Sequence, residues 1–267
     1  IQRRVKVHTI RNYIMAESLE QAWELNQKGR NNVIIGGNLW LKMGNRNILN
    51  AIDLSTLGLD RIEEDESGFR IGCMATLRDI EMHEGLNKEF QNLFKEAVRH
   101  IVGVQFRNCA TVGGSIFPKL GFSDVLTAFL ACDTQVILYK KGEVSLREFI
   151  YMPLDNDILT HIYVKKDGRK TAYESFRMTE TDFPTLTCAM AMVDGRFETV
   201  LGARPKHAEV VIDEELADSL SKEDVASYAK RVIDKLQYGS NIRGSKQYRK
   251  QLSKVLISRC ISRLTEE

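Results

Sequence analysis

No two cysteines in this 267-residue sequence stand in a C-x-x-C arrangement. The five present, Cys73, Cys109, Cys132, Cys188 and Cys260, are odd in number and widely scattered. That pattern argues against a disulfide framework, a zinc site or a protein-held iron–sulfur cluster, and favours a reducing cytoplasm. No H-E-x-x-H occurs and the histidines are dispersed, so no metal site is readable. Apolar runs, the longest around 125–132 and 188–193, fall far short of the roughly eighteen residues that a membrane span needs. The basic N-terminus lacks the apolar segment of a signal peptide. Neither sign of charge dominates: 38 Lys and Arg against 36 Asp and Glu leave +2, too little to point to nucleic acid. Internal repeats, low-complexity segments and long linkers are also missing.

What is present reads as an ordinary globular protein, 43% hydrophobic and 28% charged, long enough for two domains. Ser18-Leu19-Glu20-Gln21 is a capping box opening a helix that ends at Gly29. Val33-Ile34-Ile35 is a short buried strand, and Gly36-Gly37-Asn38-Leu39 follows it directly. A strand, a glycine turn and a helix start gather several N–H groups at one positive dipole end. The spacing is neither G-x-G-x-x-G nor a P-loop, so a tight strand-to-helix connection is the competing reading. Ile48 to Leu54 is a second strand, 60–66 the start of a hairpin turning at Ser67-Gly68, and Thr76-Leu77-Arg78-Asp79 another capping box.

The most informative stretch is Arg107-Asn108-Cys109-Ala110-Thr111-Val112-Gly113-Gly114-Ser115-Ile116, followed by Ser123-Asp124. A helical pattern leads into it: Asn87 as cap, then Phe90, Leu93, Phe94, Ala97, Val98 and Ile101 on one face, closed by Gly103. The chain then turns through Gly113-Gly114, where a missing Cβ lets N–H groups approach an anion. Ser123-Asp124 opens the next helix. Donors at a glycine turn and a carboxylate able to accept from ribose hydroxyls are what a nucleotide diphosphate needs. On the residues alone, a plain turn and a plain helix cap remain open.

Later segments read as a strand from Thr134 to Tyr139, a cap at Ser145, a strand over 157–164, and a charged loop at 165–169. Beyond it come strands over 173–178, 186–193 and 197–201, with a hairpin turn at Asp194-Gly195. Ser221 caps a helix burying Val225, Tyr228, Ala229, Val232, Ile233 and Leu236.

R-N-C-A-T-V-G-G-S-I with S-D downstream resembles the second flavin-binding segment of the FAD subunits of molybdenum hydroxylases, the medium-subunit family of xanthine and carbon monoxide dehydrogenases. Other segments match in order. G-G-N-L resembles the family's A-G-G-T-D-L loop, and I-G-C-M-A-T-L-R-D-I-E its I-G-A-x-T-T-L-x-D-I-E. D-I-L-T-H-I-Y-V resembles D-E-L-L-x-x-I-x-I, and L-G-A-R-P-K resembles L-G-G-x-A-x-x-P. The run from R-G-S-K-Q-Y-R resembles the family's closing helix.

The resemblance implies an α+β fold. A two-lobed FAD-binding domain of the vanillyl-alcohol-oxidase/PCMH type would span about 1–165, with lobes of about 1–55 and 56–165. A C-terminal domain of antiparallel sheet and helices would span about 166–267. It implies FAD held by Ile34, Ile35, Gly36, Gly37, Asn38 and Leu39 and by Ala110, Thr111, Gly113, Gly114 and Ser115; non-covalent binding is expected because these motifs offer no obvious His or Cys for a flavin bond. Ser123 and Asp124 would meet the ribose, and Thr76, Ile101, Val104 and Leu159 the flavin. Partner chains would supply iron–sulfur clusters and molybdopterin, and NAD or another acceptor would take the electrons.

Three departures stand out. Ser115 replaces the family's Asn, no proline follows Ser123-Asp124, and Glu174 stands where relatives often place Lys, with Arg177 the expected substitute. Two rivals stay open: a stand-alone flavin oxidoreductase using Glu174 or His161, and an assembly or regulatory protein that kept the fold without the flavin. Asp124→Ala is expected to weaken FAD binding and to leave the apo-protein's stability nearly unchanged.

Overall fold

The computed structural model describes residues 8–212 and 221–265; the basic N-terminal stretch and the extreme C-terminus of the expected regions lie outside them. The fold is α+β, built on three sheets that follow one another along the chain. In the first, β1 (Thr9–Met15), β2 (Asn32–Ile35) and β3 (Asn47–Asp53) run parallel in the order β1-β3-β2. Helix α1 (Leu19–Gln27) makes the crossover between β1 and β2. Ser18 accepts from the Gln21 N–H, but the Gln21 carboxamide accepts from Glu17 rather than closing on Ser18. Strand β1 has no apolar alternation and is exposed along nearly its whole length. A row of carboxamides ties it in, Asn12 to Asn50 at 2.9 Å and Asn50 to Asn32 at 2.8 Å.

The second sheet is antiparallel, in the order β4-β5-β8-β6-β7. Its strands are β4 (Ile62–Glu64), β5 (Gly68–Gly72), β6 (Thr134–Leu138), β7 (Gly142–Ser145) and β8 (Leu159–Lys165). Seven short helices accompany it: α2 (Leu77–Met82), α3 (Glu84–Glu89), α4 (Leu93–Val98), α5 (Val104–Arg107), α6 (Val112–Ile116), α7 (Asp124–Leu130) and α8 (Leu146–Phe149). The single helix expected from Asn87 to Ile101 is therefore broken. Gln91 and Asn92 adopt φ of 44° and 63°, which no α-helix accommodates. Asn87 does not cap it either; buried inside α3, its amide reaches the Ile80 and His83 carbonyls and its Oδ1 accepts from Lys95. The apolar spacing survived the break because Phe90, just past α3, and Leu93, Phe94, Ala97 and Val98 of α4 all reach the core, with Ile101 packed against it.

The third sheet is antiparallel: β9 (Lys170–Arg177), β10 (Pro184–Val193), β11 (Arg196–Gly202) and β12 (Glu209–Ile212), in the order β12-β11-β10-β9. Asp194 and Gly195 both have positive φ, 49° and 74°, as a type I′ hairpin requires. Strand β10 alternates between two cores. Leu186, Cys188 and Met190 are buried with residues of α9 (Lys222–Asp234) and α10 (Lys246–Thr265). Ala189 joins the core of the second sheet, and Thr187 bonds Thr127 of α7 at 2.9 Å. Among the described residues no helix is long and apolar enough to cross a membrane.

Candidate functional site

The two glycine stretches meet. A Cβ on Gly37 would stand 1.7 Å from the Cys109 carbonyl oxygen, and one on Gly36 2.4 Å from Thr111 Oγ1. Only glycine lets the loop after β2 lie against the segment entering α6. Asn38 then takes φ 54°, which prevents the expected helix; a single 3₁₀ turn at Leu41–Met43 follows instead. Among the described residues the N–H groups of Gly36, Gly37, Asn38 and Leu39 donate to no protein acceptor. They are free for an anion.

Gly113 and Gly114 are not in a loop turn. They lie in the first turn of α6, capped by Thr111, whose Oγ1 accepts from Gly114 N–H at 3.1 Å. Gly113 N–H donates to the Cys73 carbonyl at 2.9 Å, and Ser115 N–H to the Thr111 carbonyl at 3.1 Å. These donors are already engaged, so the glycines here serve close approach: a Cβ on Gly113 would come within 2.7 Å of Cys73. Ser115 Oγ donates to the Thr111 carbonyl, and Ser123, which caps α7, donates to the Ser115 carbonyl. A Cβ on the exposed Gly114 meets only Thr111 Oγ1, at 2.9 Å. Gly114→Val is expected to disturb that cap at about 1 kcal/mol, keep the far-UV circular dichroism, and lower FAD content. Normal flavin occupancy would remove this turn from the site.

Both segments wall a cavity of about 990 Å³, at the upper end of the roughly 300–1,000 Å³ usual for ligand sites. From the first sheet come Ile34, Ile35 and the 36–39 loop, with Arg30, Lys42 and Arg46 adding positive charge. The second contributes Ile101, Ala110, Thr111, Gly113, Gly114, Ser115, Ser123, Asp124 and Leu159; Arg177 comes from the end of β9. Of the residues expected there, Thr76 and Val104 are not brought to the cavity wall. Thr76 is spent on a full capping box with Asp79, and Val104 opens α5 at the surface while Val102 takes the wall position.

Asp124 is buried, and its Oδ1 accepts from Tyr173 Oη and from Arg177 Nη2, each at 2.5 Å. Arg177 Nη1 donates to the Asp182 carbonyl at 2.9 Å. Burial disfavours the Arg177 charge, yet Asp124 outweighs it and holds the guanidinium proton more tightly than usual. The Tyr173 hydroxyl is pushed well above its ordinary value by burial and by the neighbouring Asp124. Two buried polar atoms on the cavity wall, Arg177 Nε and Asn38 Oδ1, have no hydrogen-bond partner.

An aromatic cluster that the sequence patterns did not point to lies at the cavity wall. Trp40 stacks on Phe183 with centroids 5.0 Å apart, and Phe122 lies 5.2 Å from Trp40 and 4.5 Å from Phe183. It joins loops of all three sheets, and Arg243 lies over Phe183 while pairing with Asp182. A tryptophan three residues after Gly37 was the available signal. Cys73 and His100 also line the cavity, and burial pushes the Cys73 thiol up to about 12. Cys109, inside the motif, is exposed and off the wall. Glu174 pairs with Arg263 and His161 contacts Arg70, both away from the cavity.

Unused N–H donors, cations, apolar side chains and unpartnered polar atoms gathered at one cavity fit a long dinucleotide with an anionic middle, which FAD is. Residues 6–164 match the family model described as the FAD binding domain in molybdopterin dehydrogenase. The glyceraldehyde dehydrogenase medium chain of Sulfolobus acidocaldarius is 26% identical over 267 aligned residues, covering 91% of this chain and 94% of its own. An uncharacterized Escherichia coli protein, YgfM, is 26% identical over 195 residues, covering 69% of this chain and 71% of its own. Carbon monoxide dehydrogenase from Hydrogenophaga pseudoflava shares the fold, with a TM-score of 0.84 at 22% identity over 96% of this chain and 97% of its own. The chain thus belongs to the FAD-binding domains of the molybdopterin dehydrogenases, as an FAD-binding oxidoreductase subunit of the molybdenum hydroxylase type.

Proposed function

We propose that this chain carries FAD as the electron relay of a cytoplasmic multi-subunit hydroxylase, between a partner's iron–sulfur clusters and NAD or another acceptor. The partner holding molybdopterin would do the hydroxylation. FAD, when bound, accepts and releases one or two electrons. The chain's residues bind and orient it. The N–H groups of Gly36 to Leu39 take the diphosphate, Ile101 and Leu159 offer an apolar wall to the ring, and the Arg177 guanidinium, fixed by Asp124, supplies a cation whose Nε remains free. The observation that carries this reading is the meeting of the 36–39 loop with the 109–115 segment at one cavity. A division near residue 165 into FAD-binding and C-terminal domains is supported by the passage to the third sheet between Lys165 and Lys170. The partners are supported by the relative named as a medium chain.

Affinity purification of the tagged chain from its native host tests the assembly. Iron and molybdenum should co-elute with flavin in fixed ratio. Elution alone, with flavin and oxidase turnover, would favour a stand-alone enzyme, and elution without flavin an assembly protein. Acid precipitation of the holoprotein should leave the yellow chromophore in the supernatant; colour in the pellet contradicts non-covalent binding.

A further inference from the structure

Arg107 and Glu81 form a buried pair, 6% and 7% exposed. Arg107 Nε and Nη2 bond the two Glu81 carboxylate oxygens at 2.7 and 3.1 Å, and Arg78 adds a third contact at 2.9 Å. Burial alone would push the Glu81 carboxyl up, but Arg107 and Arg78 outweigh it and hold it below the usual range. The remaining nitrogen, Nη1, points out of the pair. It donates to the carbonyls of Arg99 and Ile101, at 3.1 and 3.3 Å.

Those carbonyls bracket the chain as it leaves α4 and joins the cavity wall. The Ile101 carbonyl belongs to the peptide plane that precedes Val102, so fixing it fixes one side of the Val102 φ torsion. That φ is 51°, a left-handed conformation that a β-branched residue avoids. Val102 is also 53% exposed and lines the cavity beside Ile101, so no packing of its own side chain accounts for the strain. Such outliers persist only where the surroundings over-determine them.

We propose that the Arg107–Glu81 pair is a positioning device for the cofactor: by gripping the Arg99 and Ile101 carbonyls it holds Val102 left-handed and so sets the Ile101–Val102 wall of the FAD cavity. The inference rests on the FAD reading of that cavity. Neither residue touches the cofactor; both act through the loop.

Arg107→Lys tests it, because an ammonium cannot bond both carboxylate oxygens and two carbonyls at once. FAD affinity by flavin fluorescence, the visible circular dichroism of bound flavin and far-UV circular dichroism are measured together. Arg107→Lys should stay folded, bind FAD roughly tenfold more weakly or worse, and alter the visible band. The same substitution is then made on top of Val102→Gly. Glycine takes positive φ unaided, so the loss caused by Arg107→Lys should shrink to about threefold or less. An equal loss in both backgrounds, or unchanged affinity and visible band in folded Arg107→Lys, overturns the proposal. If Arg107→Lys does not fold, Glu81→Gln is compared in the same two backgrounds with the same two outcomes. If the unsubstituted chain takes up no FAD, the cofactor reading fails by itself. Hydrogen exchange at the Val102 and Gly103 amides of the cofactor-free proteins then decides: it should quicken roughly tenfold in Arg107→Lys, and unchanged exchange overturns the grip.

Discussion

Asp124→Ala should destabilise the cofactor-free protein by about 3–5 kcal/mol, the usual cost of stranding one member of a buried ion pair. The carboxylate lies between Tyr173 and Arg177, both at 2.5 Å, and both side chains of the ion pair are nearly inaccessible to water, 5% and 7% exposed. Its loss would leave the Arg177 guanidinium with the Asp182 carbonyl as its protein acceptor and the Tyr173 hydroxyl with no anion to donate to. Asp124→Asn keeps an acceptor without the charge and should cost less, about 1–3 kcal/mol. Urea denaturation of the apo-protein measures both. This reverses the expectation from sequence, in which Asp124 acts toward a ribose and its removal leaves the apo-protein unmoved. A loss below about 1 kcal/mol for Asp124→Ala would show that the carboxylate behaves as an exposed helix-end residue.

Gly37→Ala should be the most damaging single methyl in the site. The added carbon would sit 1.7 Å from the Cys109 oxygen and 2.4 Å from its carbonyl carbon. Both are backbone atoms, so relief requires the 36–39 loop and the 109–111 segment to part. We expect at least about 1–3 kcal/mol of destabilisation and a fall in FAD affinity of more than roughly tenfold. Titration with FAD alongside thermal unfolding gives both numbers. Gly114→Ala is the control, since there the new carbon meets one hydroxyl that can rotate. Comparable losses in the two variants would mean that the meeting of the segments is not what builds the site.

Local chemistry carried much of the fold into the sequence. Ser18, Thr76, Ser123, Ser145 and Ser221 all cap the helices they precede, because a hydroxyl meeting an orphan N–H needs only its near neighbours. The Asp194-Gly195 turn was legible for the same reason. Apolar periodicity found the buried face of 87–101 but not its break, since the break depends on the Asn87 amide and on positive φ at Gln91 and Asn92, which leave no mark on hydrophobic spacing. Strand β1 was hidden because an exposed strand held by side-chain amides has no alternation to show.

The glycine pairs were located by their sequence, but not the close approaches that require them. Gly113 and Gly36 are glycines because other parts of the chain pass against them, a fact that exists only in the folded molecule. The tie from Asp124 to Tyr173 and Arg177 joins residues 49 and 53 positions apart, and no local pattern encodes it. Arg107 stood inside the most informative motif, yet its partner Glu81 lies 26 positions away.

A diphosphate is expected on the N–H groups of Gly36, Gly37, Asn38 and Leu39. The amide chemical shifts of the ¹⁵N-labelled apo-protein, followed as FAD is added, test it directly. These four amides should move downfield and saturate at one equivalent, while Gly113 and Gly114, already bonded within the protein, move less. Large shifts at Gly113 and Gly114 with the four loop amides unmoved would contradict the account.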